Sequence, residues 1–200
     1  MSDAPEPTPI QPPTSLPPRR GARVASTAWD ERASGWIGVR WPHPRWLTVP
    51  FGYVSITGNY GIAWYVVAAA GARAAGGGAE LALRHFAYVS GAVLACQGIT
   101  FFVKLGVGRR RPVEKDPSGG EHIRKPRSPS FPSSHASMSA VGAITLTALY
   151  PTGLWFFVAL ALLLSVSRVY LRVHYVLDVL AGLVLGTALG FIFVLVAPAP

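Results

Sequence analysis

Apolar residues fill this 200-residue chain in long runs separated by short polar ones, and the runs predict its architecture. A helix rises 1.5 Å per residue, so about 20 apolar residues cross the hydrocarbon layer of a bilayer. No charge falls between Trp46 and Ala72, and the crossing predicted there runs from Gly52 to Ala72. A glycine-rich turn with Arg73 follows. Leu81 to Val103 predicts a second crossing, with Arg84 at one end and Lys104 at the other. The polar stretch from Gly106 to Phe131 reads as a long loop. Apolar residues resume from Pro132 to Tyr150, many of them small enough to let helices approach closely. After the turn Pro151-Thr152-Gly153, a fourth crossing starts at Leu154 and ends near Arg168 to Arg172. Leu177 to Val196 makes the fifth, with Gly182, Gly186 and Gly190 four residues apart. The predicted fold is all-α: an integral membrane bundle of about five transmembrane helices, without an internal repeat.

The start of the chain behaves differently. Met1 to Pro18 contains seven prolines and almost no large apolar side chains, so it is expected to be disordered. It has neither the basic-then-apolar start nor the cleavage site of a secretory signal. Arg19 to Arg45 is basic and carries Trp29, Trp36 and Trp41, with Trp46 just beyond. Tryptophan beside arginine favours the headgroup layer. Residues 1–45 therefore read as a disordered to interfacial basic tail, and 46–200 as a membrane-embedded domain.

Composition sharpens this picture. Half of the chain is hydrophobic and 14% is charged, against about 25% charged in soluble domains. The net charge is +9, concentrated in the arginines through Arg45 and in the stretch from Lys104 to Arg127. Such clustering favours basic loops at a membrane over nucleic-acid binding, and no nucleic-acid partner is expected. Cys96 is the only cysteine, which excludes a disulfide scaffold.

A charge near the middle of a membrane helix costs about 3 kcal/mol or more, so charges at span ends need a reason. Lys104 is followed by Arg111-Pro112; these cations either converge on a small anion or simply anchor a helix end. Phe131-Pro132-Ser133-Ser134-His135 opens the third span. Serine there caps the helix, and the exposed N–H groups of a helix start also make an anion site. Ser167-Arg168 is followed by His174 and Asp178. If that stretch is helical, positions four apart share a face, and Asp178 can hold one nitrogen of His174 while the other stays free. A buried ion pair is the plainer alternative. All three groups fall where spans meet the same side of the bilayer. Two histidines, a carboxylate, several cations and two hydroxyls suit phosphoryl transfer, which is mostly positioning and neutralisation of oxyanion charge. Zinc held by His135 and His174 lacks an evident third protein ligand.

These motifs resemble those of the type 2 phosphatidic acid phosphatase family, related to the vanadium haloperoxidases. The order and spacing match in Lys104 to Arg111-Pro112, in Pro132-Ser133-Ser134-His135 and in Ser167-Arg168 to His174 and Asp178. The resemblance implies a nucleophilic His174 oriented by Asp178, with His135 as general acid and base. It also implies a phosphate site made by Lys104, Arg111, Ser133, Arg168 and backbone N–H groups, including that of Ser134, with no metal or other cofactor. Ser134 replaces the family's usual glycine, which is harmless in a right-handed helix and strained at positive φ. Family members commonly have six spans, so a first helix is expected to be missing or reduced to an interfacial segment near Trp41 to Phe51.

The expected substrate is a lipid phosphate. With 15 Arg against 3 Lys and abundant Ala and Gly, the chain reads as coming from a GC-rich bacterial genome. Small relatives of that kind act on polyprenyl phosphates or diphosphates, including decaprenyl-phosphoryl ribose phosphate. A phosphatidate or phosphatidylglycerophosphate-type glycerolipid is the second choice. A non-enzymatic protein gripping anionic headgroups, and a small transporter, are the rival classes; the transporter would need a mid-membrane site between repeats. The cations other than Arg73 and Arg84 share one side, and the positive-inside rule places that side, with the site, in the cytoplasm.

Overall fold

The computed structural model describes residues 27–115 and 128–200. The proline-rich start and Arg124, Lys125 and Arg127 of the long loop lie outside them. Among the described residues every regular element is helical. In chain order these are α1 (Ala28–Gly35), a π-helical turn (Trp36–Arg40), α2 (Arg45–Thr57), a 3-10 turn (Asn59–Gly61), α3 (Ile62–Ala74) and α4 (Ala79–Val107). They continue with α5 (Pro112–Lys115), α6 (Ser134–Leu149), α7 (Leu154–Tyr170) and α8 (Val176–Val196).

Five of these helices run between the same two ends. At one end Lys104 of α4, Ser134 of α6, Arg168 of α7 and Asp178 of α8 gather. At the other, Tyr150 after α6 bonds His85 of α4 (2.5 Å) and the Ala68 carbonyl of α3 (3.2 Å). There Tyr88 also donates to the Ala197 carbonyl beyond α8. Among the described residues three stretches are long and apolar enough to cross a membrane on their own: Ala79–Lys115, Pro151–Tyr170 and Val176–Val196. With 13 and 16 residues, α3 and α6 are shorter. Buried along nearly its whole length, α6 forms the centre of the bundle, while Trp155, Phe102, Val184 and Leu195 point outward from its neighbours.

The glycine row on α8 does what its spacing predicts. A Cβ on Gly182 would lie 2.5 Å from the Ser133 carbonyl oxygen, and one on Gly186 2.2 Å from that of Ser137. Helices α6 and α8 thus touch backbone to backbone, which small residues alone allow. The Trp64 ring of α3 packs directly on Gly142 of α6, where a Cβ would strike it.

The crossing predicted from Gly52 to Ala72 is not one helix. It breaks at the 3-10 turn, where Tyr60 has φ 54° and Gly61 φ 80°. A Cβ on Gly61 would strike Val93, and one on Gly58 would strike His135. The break therefore lets α2 pass over the end of the bundle that holds His135, while α3 alone descends beside α6. Helix α2 meets α7 through Thr48 and Phe51 on Tyr170, and through Ser55 on Arg168. Ahead of it, α1 and the π-helical turn cap the same end, with Trp29, Trp36, Trp41 and Trp46 exposed.

Candidate active site

Helix α4 stops at Gly108, whose φ of 66° is a left-handed value that suits glycine. The turn sends Arg109, Arg110 and Arg111 back across the end of the bundle. The Lys104 ammonium, buried in the last turn of α4, donates to the carbonyls of Pro129 (3.0 Å) and Ser130 (3.3 Å). Arg111 donates from Nε to the Ser128 carbonyl (3.1 Å) and from Nη2 to that of Pro129 (3.3 Å). These two cations stitch residues 128–130 over the site.

Arg111 Nη1 reaches the Val173 carbonyl (2.6 Å) and His174 Nε2 (3.1 Å). The guanidinium stays protonated at neutral pH and can only donate. His174 Nε2 must then be the acceptor, which assigns the ring proton to Nδ1. Nδ1 lies 3.4 Å from Asp178 Oδ2. Burial, reinforced by Arg111, Lys104, Arg168 and His135, holds the His174 pKa well below the usual imidazole value. The imidazole is neutral, with its Nε2 lone pair turned toward a cation.

The His174–Asp178 pair does not arise from a shared helix face, because His174 precedes α8. Tyr175 is the N-cap, and its N–H donates to Asp178 Oδ2 at 2.9 Å in a capping box. The spacing that predicted the contact is right; its cause is a helix start.

On the other side of the site one α2 residue joins two expected groups. His135 Nε2 donates to the Ser55 carbonyl (3.1 Å), and Arg168 Nη1 donates to the Ser55 hydroxyl. The Arg168 carbonyl in turn accepts from the N–H groups of Val173 (3.1 Å) and His174 (3.2 Å). Ser133 caps α6, accepting from Ala136 N–H at 3.4 Å, and its own N–H donates to the Asp178 carbonyl at 2.8 Å. Ser134 is the first residue of α6, and the positive-φ residues other than glycine among those described are Tyr60 and Arg172. Serine in place of glycine is therefore unstrained here. Lys104, Arg111, Ser133, Ser134, His135, Arg168, His174 and Asp178 all lie at this one end.

Three neighbours were missed by sequence reasoning. Ser55 carries no motif. Arg109 is hidden in a run of three arginines, and Asp30 lies in a segment read as tail. Asp30 and Arg109 are both buried, and Arg109 bridges Asp30 and Asp178. Thr27 three residues before Asp30 is a cap pattern that could have marked the start of α1; the Thr27 hydroxyl does accept from Asp30 N–H at 3.3 Å. Between α1, the π-helical turn and α5 lies a cavity of about 250 Å³ that reaches His174, with Ser34, Lys115 and Arg172 among its walls.

Helices of membrane length with buried cations and two histidines gathered at one end define the class: a membrane helical bundle with a candidate anion site. More narrowly, the chain belongs to the PAP2 superfamily, which matches residues 85–199. It is 30% identical over 135 residues, 68% of this chain and 72% of the relative, to the decaprenylphosphoryl-5-phosphoribose phosphatase of Mycobacterium tuberculosis. To an undecaprenyl-diphosphatase of Sulfolobus acidocaldarius it is 44% identical over 71 residues; this match spans about a third of each protein, 35% and 34%. The PAP2-type phosphatidylglycerolphosphate phosphatase of Bacillus subtilis superposes with a TM-score of 0.62 at 25% identity, covering 82% of both chains. All-helical architecture, membrane association and the family inferred from the three motifs agree with these findings.

Proposed function

We propose that the chain hydrolyses a phosphomonoester or diphosphate of a polyprenyl-linked or related membrane lipid, through a phosphohistidine on His174. The reading rests above all on one observation: a neutral His174 with Nε2 against Arg111 Nη1 and Nδ1 toward Asp178. Substrate phosphate takes the place of Nε2 at the guanidinium and is held by Arg111, Lys104, Arg168, Ser133 and the first N–H groups of α6, which favour an anion. The Nε2 lone pair attacks phosphorus as the P–O bond to the lipid breaks. His135, charged in the complex by the phosphate beside it, gives the leaving oxygen its Nδ1 proton while Nε2–H stays on the Ser55 carbonyl, and Asp178 stabilises the positive charge that develops on His174. His135 then takes a proton from water, whose oxygen displaces His174 and releases phosphate. Cations and N–H donors supply the charge neutralisation, without a metal.

A polyprenyl-linked substrate is supported by two of the relatives, whose names specify polyprenyl compounds. A phosphatidate or phosphatidylglycerophosphate-type lipid is the second reading, supported by the Bacillus subtilis structure. The catalytic unit is taken to be 46–200, with residues 27–45 docked on it. The site is proposed to face the cytoplasm, because Arg73 and Arg84 are the only Lys or Arg at the opposite end among the described residues. An impermeant reagent that labels Ser118→Cys but spares Gly77→Cys in intact cells carrying Cys96→Ser would refute that orientation.

The function is tested on purified protein with a panel of these lipids. His174→Ala should abolish phosphate release, vanadate should inhibit, and EDTA should have little effect. His135→Ala should lose more activity on a lipid phosphate than on a nitrophenyl ester, whose leaving group needs no proton. Activity lost to EDTA and restored by Mg²⁺ would overturn this mechanism.

A further inference from the structure

Helix α1 precedes the membrane helices, yet it touches the start of α8, the helix that carries Asp178. The Val176 N–H donates to Ser34 Oγ (2.9 Å) and the Leu177 N–H to Asp30 Oδ1 (2.9 Å). The other oxygen of Asp30 accepts from Arg109 Nη2, while Arg109 Nη1 donates to Asp178 Oδ1 at 2.7 Å. Asp30 and Asp178 are fully buried and Arg109 is 3% exposed, its guanidinium lying 4.2 Å from the centre of the Tyr175 ring. One guanidinium is thus divided between two carboxylates, and both are out of contact with water.

A guanidinium facing a single carboxylate prefers a fork, with two parallel N–H···O bonds. If Arg109 closed such a fork on Asp178 it would take Oδ2 as well as Oδ1. Oδ2 is the oxygen that accepts from Tyr175 N–H and stands 3.4 Å from His174 Nδ1. We infer that Asp30 is a positioning residue for phosphoryl transfer: by occupying Nη2 of Arg109 it restricts Asp178 to one bond with that arginine and keeps Oδ2 facing His174. The inference rests on the roles proposed above for His174 and Asp178. A simple staple between α1 and α8 would also use these contacts, but it would act on stability and not on turnover.

Asp30→Asn separates the two. Leu177 N–H and Arg109 Nη2 use different oxygens of Asp30, and asparagine replaces one of those oxygens by a donor nitrogen, so in the same pose one of the two bonds is lost. The full-length protein, purified in detergent, is assayed on nitrophenyl phosphate. For Asp30→Asn, kcat is expected to fall about tenfold, the usual scale for a group that orients a reacting one. KM and the vanadate inhibition constant should hold within about twofold. Added to Asp178→Asn, the same change should lower the residual kcat no further, because its effect passes through Asp178. An unchanged kcat, or a full additional loss in the double variant, overturns the inference. Should Asp30→Asn not accumulate as folded protein, Asp30→Glu takes its place. It keeps the charge but shifts the carboxylate by one methylene from Arg109 Nη2; a fall confined to kcat supports the inference, and an unchanged kcat or a rise in KM alone refutes it. If His174→Ala stays active, the proposed function fails and takes this inference with it. If His174→Ala is dead while Asp30→Asn turns over normally, this inference alone fails.

Discussion

Replacing Gly186 by alanine adds one methyl group where α8 lies on α6. Its Cβ would stand 2.2 Å from the Ser137 carbonyl oxygen and 2.7 Å from the Ser137 Cα, both backbone atoms. That is about 1 Å short of ordinary van der Waals contact, and neither helix has a side chain there that could rotate away. The helices must separate, so the cost belongs at the upper end of overpacking, about 2–3 kcal/mol. In a protein of this size that lowers the melting temperature by roughly 5–10 °C. Separation also moves Asp178 on α8 relative to His135 on α6, and a misplacement of about 1 Å can cost a hundredfold in rate. The assay is thermal unfolding in detergent together with turnover of a soluble phosphate ester. Gly190→Ala is the graded comparison, since it meets the Ile144 side chain at 2.9 Å and that chain can turn. Gly98→Ala on α4 is the control, because nothing lies within 4 Å of its Cβ. Melting should fall in the order Gly98→Ala, Gly190→Ala, Gly186→Ala, with the last the least stable. If Gly186→Ala melts with Gly98→Ala, the backbone contact between α6 and α8 is refuted.

Two further outcomes follow from the site. Ser55→Ala removes the hydroxyl that receives Arg168 but keeps the carbonyl that receives His135; loss of one charged hydrogen bond should lower kcat/KM about tenfold, and unchanged steady-state kinetics would refute the bridge. Because His174 is neutral in the fold with its pKa depressed, acid protonates the unfolded chain first. Its contribution to stability is complete above about pH 6.5 and is lost as the pH falls toward the folded value. Melting of the wild type should therefore drop more steeply than that of His174→Gln below about pH 6.5, and parallel slopes would contradict the burial of a neutral imidazole.

What the sequence determined by itself is whatever is local. Hydropathy located α4, α7 and α8 because the bilayer sets a length, and Gly182, Gly186 and Gly190 marked a packing face because helical periodicity is short-ranged. The motif residues were legible for the same reason. His174 and Asp178 lie four apart, Ser133 and His135 two, and their chemistry is plain from residue type. Tertiary structure decided where the chain breaks and what stands behind each motif residue. Nothing local distinguishes Gly58 to Gly61 from the other glycines of an uncharged run; the break has meaning only against His135 and Val93, which approach from α6 and α4. Arg109 finds Asp30 across 79 residues, and Arg168 finds Ser55 across 113. Such pairs form because helix packing brings distant backbones together, and a buried charge must then be satisfied by whichever polar group packing has left within reach.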